Sequence, residues 1–281
     1  MGTSLSEAWQ GEYAVRRVRA QDQTDQQLAP LGQVGLDALA LRSGEWALDV
    51  GCGAGATTLA LARAAGASGG ACGVDVSEAM LNRARERVAH AGLQNVQLVA
   101  ADAASCSFER RFDALYSRFG VMFFEDPAAA FTNLRRALQP GGRLAFVCWQ
   151  ALTKNPWAAL PLEALRSAAP EARLPEMFEP DRPGPFYFGE PERALAPLRE
   201  AGFRELSVTA HAMPIHIGAA MSLDAAVEYS MELGPPGRFV VAAGERWAAE
   251  CRQVLTRVLA PHTSARGTWM DAAVYVFSAR A

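Results

Sequence analysis

The chain has 281 residues, half of them hydrophobic, enough for one large α/β domain with a small appendage. Its formal net charge is −3 and no run of basic residues exceeds two, so it lacks the basic face that nucleic-acid binders use, and a small-molecule partner is expected instead. The five cysteines (Cys52, Cys72, Cys106, Cys148 and Cys251) are odd in number and never spaced C-x-x-C, which argues against a disulfide framework or zinc site and for a reducing, cytoplasmic setting.

In chain order, the opening stretch MGTSLSEAWQGEY has no apolar core of a secretory signal. Its match to the loose myristoylation pattern M-G-x-x-x-S is short and carries little weight. No apolar run approaches the roughly 18 residues of a membrane span. Residues Trp9–Leu41 have a helical pattern, with Leu28, Leu31, Val34, Leu36 and Leu39 in one stripe, and Pro30 is expected to divide it into two helices. Apolar runs then alternate with helical patterns. The runs are Trp46–Val50, Ala71–Val74, Val96–Ala100, Phe112–Tyr116 and Arg143–Trp149; the helices are Thr57–Ala65, Glu78–His90 and Pro127–Leu138. Runs apolar throughout mark strands buried on both faces, and strand–helix–strand repetition makes a parallel sheet of right-handed units. Ser77 and Asp126 stand at helix starts, the latter before Pro127, and Gln139-Pro140-Gly141-Gly142 ends a helix.

Beyond Trp149 the pattern loosens. A short helix is expected over Pro156–Ala169, then an irregular segment with prolines at 170, 175, 180, 183, 185 and 191, of the kind that forms lids or linkers. Helices follow at Pro191–Ala201, Leu223–Leu233 and Gly244–Leu259, with strands at Arg204–Ala210 and Asp271–Ala279. The expected organisation is a helical lid (1–42), a ligand-binding core (43–150), a proline-rich insertion (151–190), and the last part of the core (191–281) carrying a helical cap at about 212–265.

The stretch LDVGCGAGATT at 48–58 places three glycines in five residues after an apolar run. A P-loop needs G-x-x-x-x-G-K-[ST]; no lysine follows here, and Lys154 is distant. The dinucleotide fingerprint fits better: Gly51-x-Gly53-x-x-Ala56, with Asp75 ending the next strand where a ribose-binding acid belongs. Two further acids stand with it. Asp49 precedes the loop, giving D-x-G-x-G-x-G, and Asp102 closes the third strand. Carboxylates after strands two and three would sit with the loop at the carboxyl edge of an open sheet, where such folds bind ligands.

This set resembles the class I S-adenosylmethionine-dependent methyltransferases, and most closely their small-molecule, quinone-biosynthesis-like branch. The similarity is carried by LDVGCGAGATT, GVDVSEAML (73–81), AADAASCSF (101–108), FDALYSRFGVMFF (112–124) and LQPGGRLAFVCW (138–149). It covers about residues 45–150 well and the terminal strands loosely. The fold it implies is a Rossmann-like, doubly wound, seven-stranded α/β sheet, mostly parallel, with an antiparallel C-terminal strand. It implies S-adenosyl-L-methionine as cofactor and S-adenosyl-L-homocysteine as product. Gly51, Cys52, Gly53 and Gly55 would face the methionine portion, with Asp49 anchoring that end. Asp75 would accept from both ribose hydroxyls, Val76 and Met80 would flank the adenine, and Asp102 and Ala103 would meet its amino edge. Ser117 would lie under the cofactor.

Methyl transfer from a sulfonium depends chiefly on alignment, and no specific catalytic motif is present. The [DNS]-P-P-[YFW] signature of DNA amino-methyltransferases is replaced by SRFG at 117–120, and the Pro-Cys nucleophile of cytosine enzymes is absent. The acceptor walls are expected from Phe119, Met122, Trp149, Trp157 and Tyr229, with Trp9 and Tyr13 from the lid. Arg118 and His216 are the candidate catalytic groups, His216 as general base. No cluster has metal-ligand spacing. An oxidoreductase using NAD(P), or a module that binds the cofactor without turnover, stands as the alternative.

Overall fold

The computed structural model describes residues 11–172, 178–179 and 181–281, with residues 11–14 as backbone alone. The described residues begin with two helices, α1 (Gly11–Arg19) and α2 (Gln21–Leu39). The expected break at Pro30 does not occur. The chain bends at Ala20, and α2 runs through Pro30, which lies on the exposed side, where water can serve the carbonyl it frees. Parallel strands and helices then alternate: β1 (Trp46–Val50), α3 (Ala56–Ala65), β2 (Gly70–Asp75), α4 (Glu78–His90), β3 (Val96–Ala100), β4 (Phe112–Arg118), α5 (Pro127–Ala137) and β5 (Leu138–Trp149). The Asp126 carboxylate accepts from the Ala129 amide at 3.0 Å and caps α5.

After β5 come α6 (Pro156–Ala168), α7 (Glu192–Glu200), β6 (Arg204–His216), α8 (Leu223–Glu232), α9 (Gly234–Ala243), α10 (Ala248–Leu259), β7 (Thr263–Ser264) and β8 (Gly267–Arg280). The order across the sheet is β3-β2-β1-β4-β5-β8-β6, with β7 paired to β8 off this path. β8 is antiparallel to both neighbours, as expected for the last strand. β6 extends to His216, longer than expected, and pairs with β8 as far as Trp269. The helices between β6 and β7 lie between His216 and Thr263, within the 212–265 range expected to carry a cap. They include one not expected from the sequence, α9, which carries Pro235 and Pro236 in its first turn, where proline is tolerated.

Side chains of adjacent strand residues sort the helices onto two faces. Tyr116 of β4 and Val147 of β5 meet α2. The Tyr116 hydroxyl donates to the Gly32 carbonyl at 2.7 Å, and a Cβ on Gly35 would stand 2.4 Å from a Val147 methyl. Phe146, next to Val147, points the other way, stacks on Phe131 of α5 and Phe277, and meets Phe188 at a tilt. The proline-rich segment is not a loose linker where it is described: Phe186 and Phe188 are buried in the core, and the Gly184 amide donates to the Met122 carbonyl.

The strand order reverses between β1 and β4, each the other's neighbour but separated by two strands in sequence. The crevice of an open α/β sheet forms at that reversal, beyond the carboxyl ends of the strands.

Candidate active site

One cavity of ≈ 680 Å³ opens there, roofed by α1, α2, α8 and α9. Its floor begins at the glycine loop. Gly51 and Gly53 have φ of +68° and +54°, a region that side chains disfavour. A Cβ on Gly51 would stand 2.9 Å from the Gly120 Cα, so the loops after β1 and β4 cross backbone on backbone. Gly55, φ +80°, packs instead against Ala84 of α4 and does not line the cavity.

Four amides of this loop are already committed. Those of Gly51 and Cys52 donate to the Val74 carbonyl (2.9 and 3.1 Å), and that of Gly55 to Cys52 (3.0 Å). The Gly53 amide donates to Asp75 Oδ2 at 2.8 Å. Such a loop offers no nest of free N–H groups to a phosphate. Beneath it lies Asp49, fully buried, whose Oδ2 accepts from the Thr57 and Thr58 hydroxyls at 2.7 and 2.6 Å. Its Oδ1 is buried without a hydrogen-bond partner. Burial pushes the Asp49 carboxyl up to about 6 against the pull of the two threonines. A buried acid below the start of α3 repels phosphate and favours a cation nearby. Asp49 does not line the cavity; it holds the loop to α3.

Asp75 closes β2 and faces the cavity. Besides Gly53, it accepts from the Ser77 amide at 2.8 Å through Oδ1. Each oxygen has a lone pair left for a ligand hydroxyl. Burial raises its pKa, opposed by those amides and by the charge of Arg17. Val76 and Met80 continue this wall, followed by Asp102 and Ala103. Asp102 Oδ1 accepts from the Ala104 amide at 2.8 Å. Two carboxylates flanking an apolar slot match a vicinal diol and an exocyclic amine, the hydrogen-bond donors of an adenosine. Gly51 and Gly53 leave room beside them for an extended tail, so the residues present fit S-adenosylmethionine. The buried Cys52 lines the cavity, and burial raises its pKa, which disfavours the thiolate.

The other half of the cavity is aromatic. Phe119 stacks on Trp149 with ring centroids 4.3 Å apart and planes at 10°, and Trp149 meets Trp157 at 4.8 Å. Phe119 holds a φ of +61°, unusual for a bulky residue and a form of strain that collects at functional sites. Met122 and Tyr229 complete the expected set in this wall. Tyr229 reaches Thr24 Oγ1 at 3.2 Å; because the Thr24 hydroxyl donates to the Ala20 carbonyl, the tyrosine is the donor. Tyr13 lies on α1, but its side chain, like all of Trp9, is outside the described residues.

Besides Asp49 and Gly55, three further expected site residues are placed differently. His216 does not line the cavity. It sits at the far end of β6, stacked on Trp269 at 4.7 Å with its Nε2 2.9 Å from the Ala220 carbonyl, because the longer strand carries it past the mouth. Ser117 is fully buried below the site. It donates to the Val50 carbonyl at 2.7 Å and accepts from the Gly120 amide at 3.2 Å, stitching β4 to β1. Arg118 lines the cavity, but its guanidinium is bound to Asp25 of α2 at 2.9 Å, so it fastens the roof. Among the described residues no cluster of His, Cys, Asp or Glu could hold a metal ion, and no helix is long and apolar enough to cross a membrane.

Sequence reasoning missed Gln21, Thr24 and Gln27, which line the cavity from α2, and Phe178 and Arg238, which line it from the two insertions. The glutamines and threonine recur at helical spacing in QDQTDQQ, yet a polar stripe is ordinarily a solvated face.

Comparison with known proteins gives a consistent picture. Residues 47–142 match a family model described as a methyltransferase domain. Over 118 residues the chain is 34% identical to aklanonic acid methyltransferase DauC of Streptomyces sp. (strain C5), covering 42% of this chain and 54% of that protein. Over 105 residues it is 40% identical to demethylmenaquinone methyltransferase of Staphylococcus aureus (strain MRSA252), covering 37% and 43%. The matched region thus spans about half the length of these curated relatives. Among solved structures, the YcgJ protein of Bacillus subtilis aligns with a TM-score of 0.56 at 18% identity, covering 90% of this chain and 98% of that one, a likeness of fold.

Proposed function

We propose, from the premise that residues 47–142 are a class I S-adenosylmethionine-dependent methyltransferase domain, that the whole chain is an enzyme methylating a small, flat, largely apolar molecule. The observation that carries this reading is one cavity joining the two carboxylates Asp75 and Asp102 to the Phe119–Trp149–Trp157 wall. Asp75 would hold the ribose hydroxyls, Asp102 the adenine amine, and Val76, Met80 and Ala103 the faces of the base. Bound there, S-adenosylmethionine supplies a methyl group made electrophilic by its sulfonium. The aromatic rings orient the acceptor against it, and the roof excludes water. The reading needs no metal. Its five cysteines, all unpaired, support a reducing, cytoplasmic setting, and its acidic balance supports a metabolite over nucleic acid.

Titration calorimetry with S-adenosylhomocysteine tests this directly. We expect one saturable site, weakened about 10- to 100-fold in Asp75→Ala by loss of two charge-assisted hydrogen bonds. Absence of binding to the unaltered protein would sink the reading. A mass-spectrometric screen of candidate metabolites for the gain of one methyl group then identifies the acceptor.

A further inference from the structure

Resting on that reading, we infer that Phe119 reads the positive charge of the donor, its ring holding the sulfonium by cation–π attraction. Phe119 lies between Arg118, the last residue of β4, and Gly120, which crosses the glycine loop. A Cβ on Gly51 would stand 2.9 Å from the Gly120 Cα, and a Cβ on Gly120 would stand 2.7 Å from the Val50 carbonyl oxygen. Neighbouring Cα atoms are about 3.8 Å apart, so Phe119 stands beside the loop that leaves room for the methionine tail. On its other side the ring continues into the aromatic wall through Trp149 and Trp157. Phe119 therefore joins the two halves of the cavity at the seam that the methyl group must cross. The sulfur of a donor reaching from Asp75 to the acceptor lies at that same seam.

The backbone points the same way. The Phe119 amide still donates to the Val147 carbonyl at 2.9 Å, continuing the pairing of β4 with β5. The chain then turns so that Gly120 can pass under Gly51, and the turn puts a φ of +61° on Phe119. Glycine adopts that conformation at no steric cost, whereas a bulky residue is strained by it. A glycine at 119 would relieve the strain and leave Trp149 and Trp157 in the wall, but the seam would lose its ring. Stacking on the buried Trp149, with planes at 10°, covers one face of that ring. Phe119 itself is half-buried and lines the cavity, so its ring stays accessible to a ligand. The sulfur of S-adenosylhomocysteine carries no charge. The attraction thus favours the donor over its product and is lost once the methyl group has moved.

Titration calorimetry at one pH, with no acceptor present, separates charge recognition from packing. The cationic ligands are S-adenosylmethionine and sinefungin, which carries an ammonium group in place of the methylated sulfur; the neutral-sulfur reference is S-adenosylhomocysteine. Phe119→Leu keeps apolar bulk and removes the π face. It should weaken both cations about 3- to 20-fold relative to S-adenosylhomocysteine, while Phe119→Tyr should hold the ratio. Should Phe119→Leu fail to fold, phenylalanines of increasing fluorination at position 119 decide the matter. They keep the ring's shape and drain its negative face, so the ratio should fall stepwise with each added fluorine. A ratio unchanged in Phe119→Leu, or flat along the fluorinated series, would overturn the inference and leave the methyltransferase reading standing. Absence of S-adenosylhomocysteine binding to the unaltered protein would instead remove the reading on which it rests.

Discussion

Asp49 is the residue whose chemistry most departs from the ordinary. A carboxyl shifted from 3.8 to about 6 by burial is held in the fold against its preference to ionise in water. Its folded pKa lies above its unfolded one, so its contribution to stability is fully present below about 4 and is lost as pH rises through about 6. The difference amounts to on the order of 3 kcal/mol at neutral pH. Thermal melts of the ligand-free protein should therefore gain stability relative to Asp49→Asn as pH is lowered from about 7 to 4; a pH-independent difference would show that Asp49 ionises freely. A nearby sulfonium offsets the same cost. The affinity ratio of S-adenosylmethionine to its uncharged-sulfur product should accordingly rise by about 2- to 5-fold as pH increases from about 4 to 7 and Asp49 ionises, and stay flat in Asp49→Asn. Gly51 carries a different burden. With φ +68° and Gly120 2.9 Å from any Cβ, Gly51→Ala should destabilise the fold by about 1–3 kcal/mol, read from denaturant melts.

Among the elements, α2 does the most that its sequence conceals. It presses onto the sheet through Gly32 and Gly35, where a Cβ would collide with Arg118 and Val147. It is fastened most deeply by Asp25, which accepts from Arg118 at 2.9 Å and from Arg87 at 2.7 Å, all three side chains less than a fifth exposed, while the exposed Asp22 also pairs with Arg87. Removing the Asp25 charge takes the carboxylate from the partly buried Arg118 and leaves Arg87 with Asp22 and the Ala54 carbonyl, and should cost about 1–2 kcal/mol locally. Hydrogen exchange in Asp25→Asn should quicken across residues 21–39 while the amides of β1 and β4 remain protected; uniform quickening would mean that the clamp is part of global stability. The contrast with the core explains what the sequence disclosed. β1, β2, the glycine loop, Asp75 and Asp102 are legible because continuous apolar runs and turn glycines are local signals. The clamp joins residues 93 and 62 positions apart, and no periodicity records such a pairing. His216 was misplaced for a related reason: where β6 stops depends on its pairing with β8, not on its own composition. Gln21, Thr24 and Gln27 were passed over because only the tertiary roof turns that polar stripe inward, where Gln27 accepts from the Gly218 amide of the cap at 2.7 Å.

For the whole molecule, the cavity is the point where separate lengths of chain meet, the proline-rich segment adding Phe178 and Pro185 to its wall. The sheet gives the floor, α1 and α2 one side of the roof, and the helices between β6 and β8 the other. The two roof pieces touch through Thr24–Tyr229 and Gln27–Gly218, so a ligand that fills the floor and touches both makes them one cooperative unit. Binding to the folded state alone stabilises by RT ln(1 + [L]/Kd), about 2.7 kcal/mol at a hundredfold excess over Kd. In a chain of this size that corresponds to a rise in Tm of roughly 5–10 °C. If the roof closes as a unit, the protected region under saturating S-adenosylhomocysteine should include residues 217–243 of the cap as well as the loops after β1, β2 and β3, although none of the groups assigned to the cofactor lies in the cap. Protection confined to the three loops would mean that the cap is held independently of the donor half and answers only to the acceptor. The Asp25→Asn variant separates these outcomes further. A roof that closes as a unit should lose cap protection when only α2 is loosened, because the cap reaches the cofactor half through that helix.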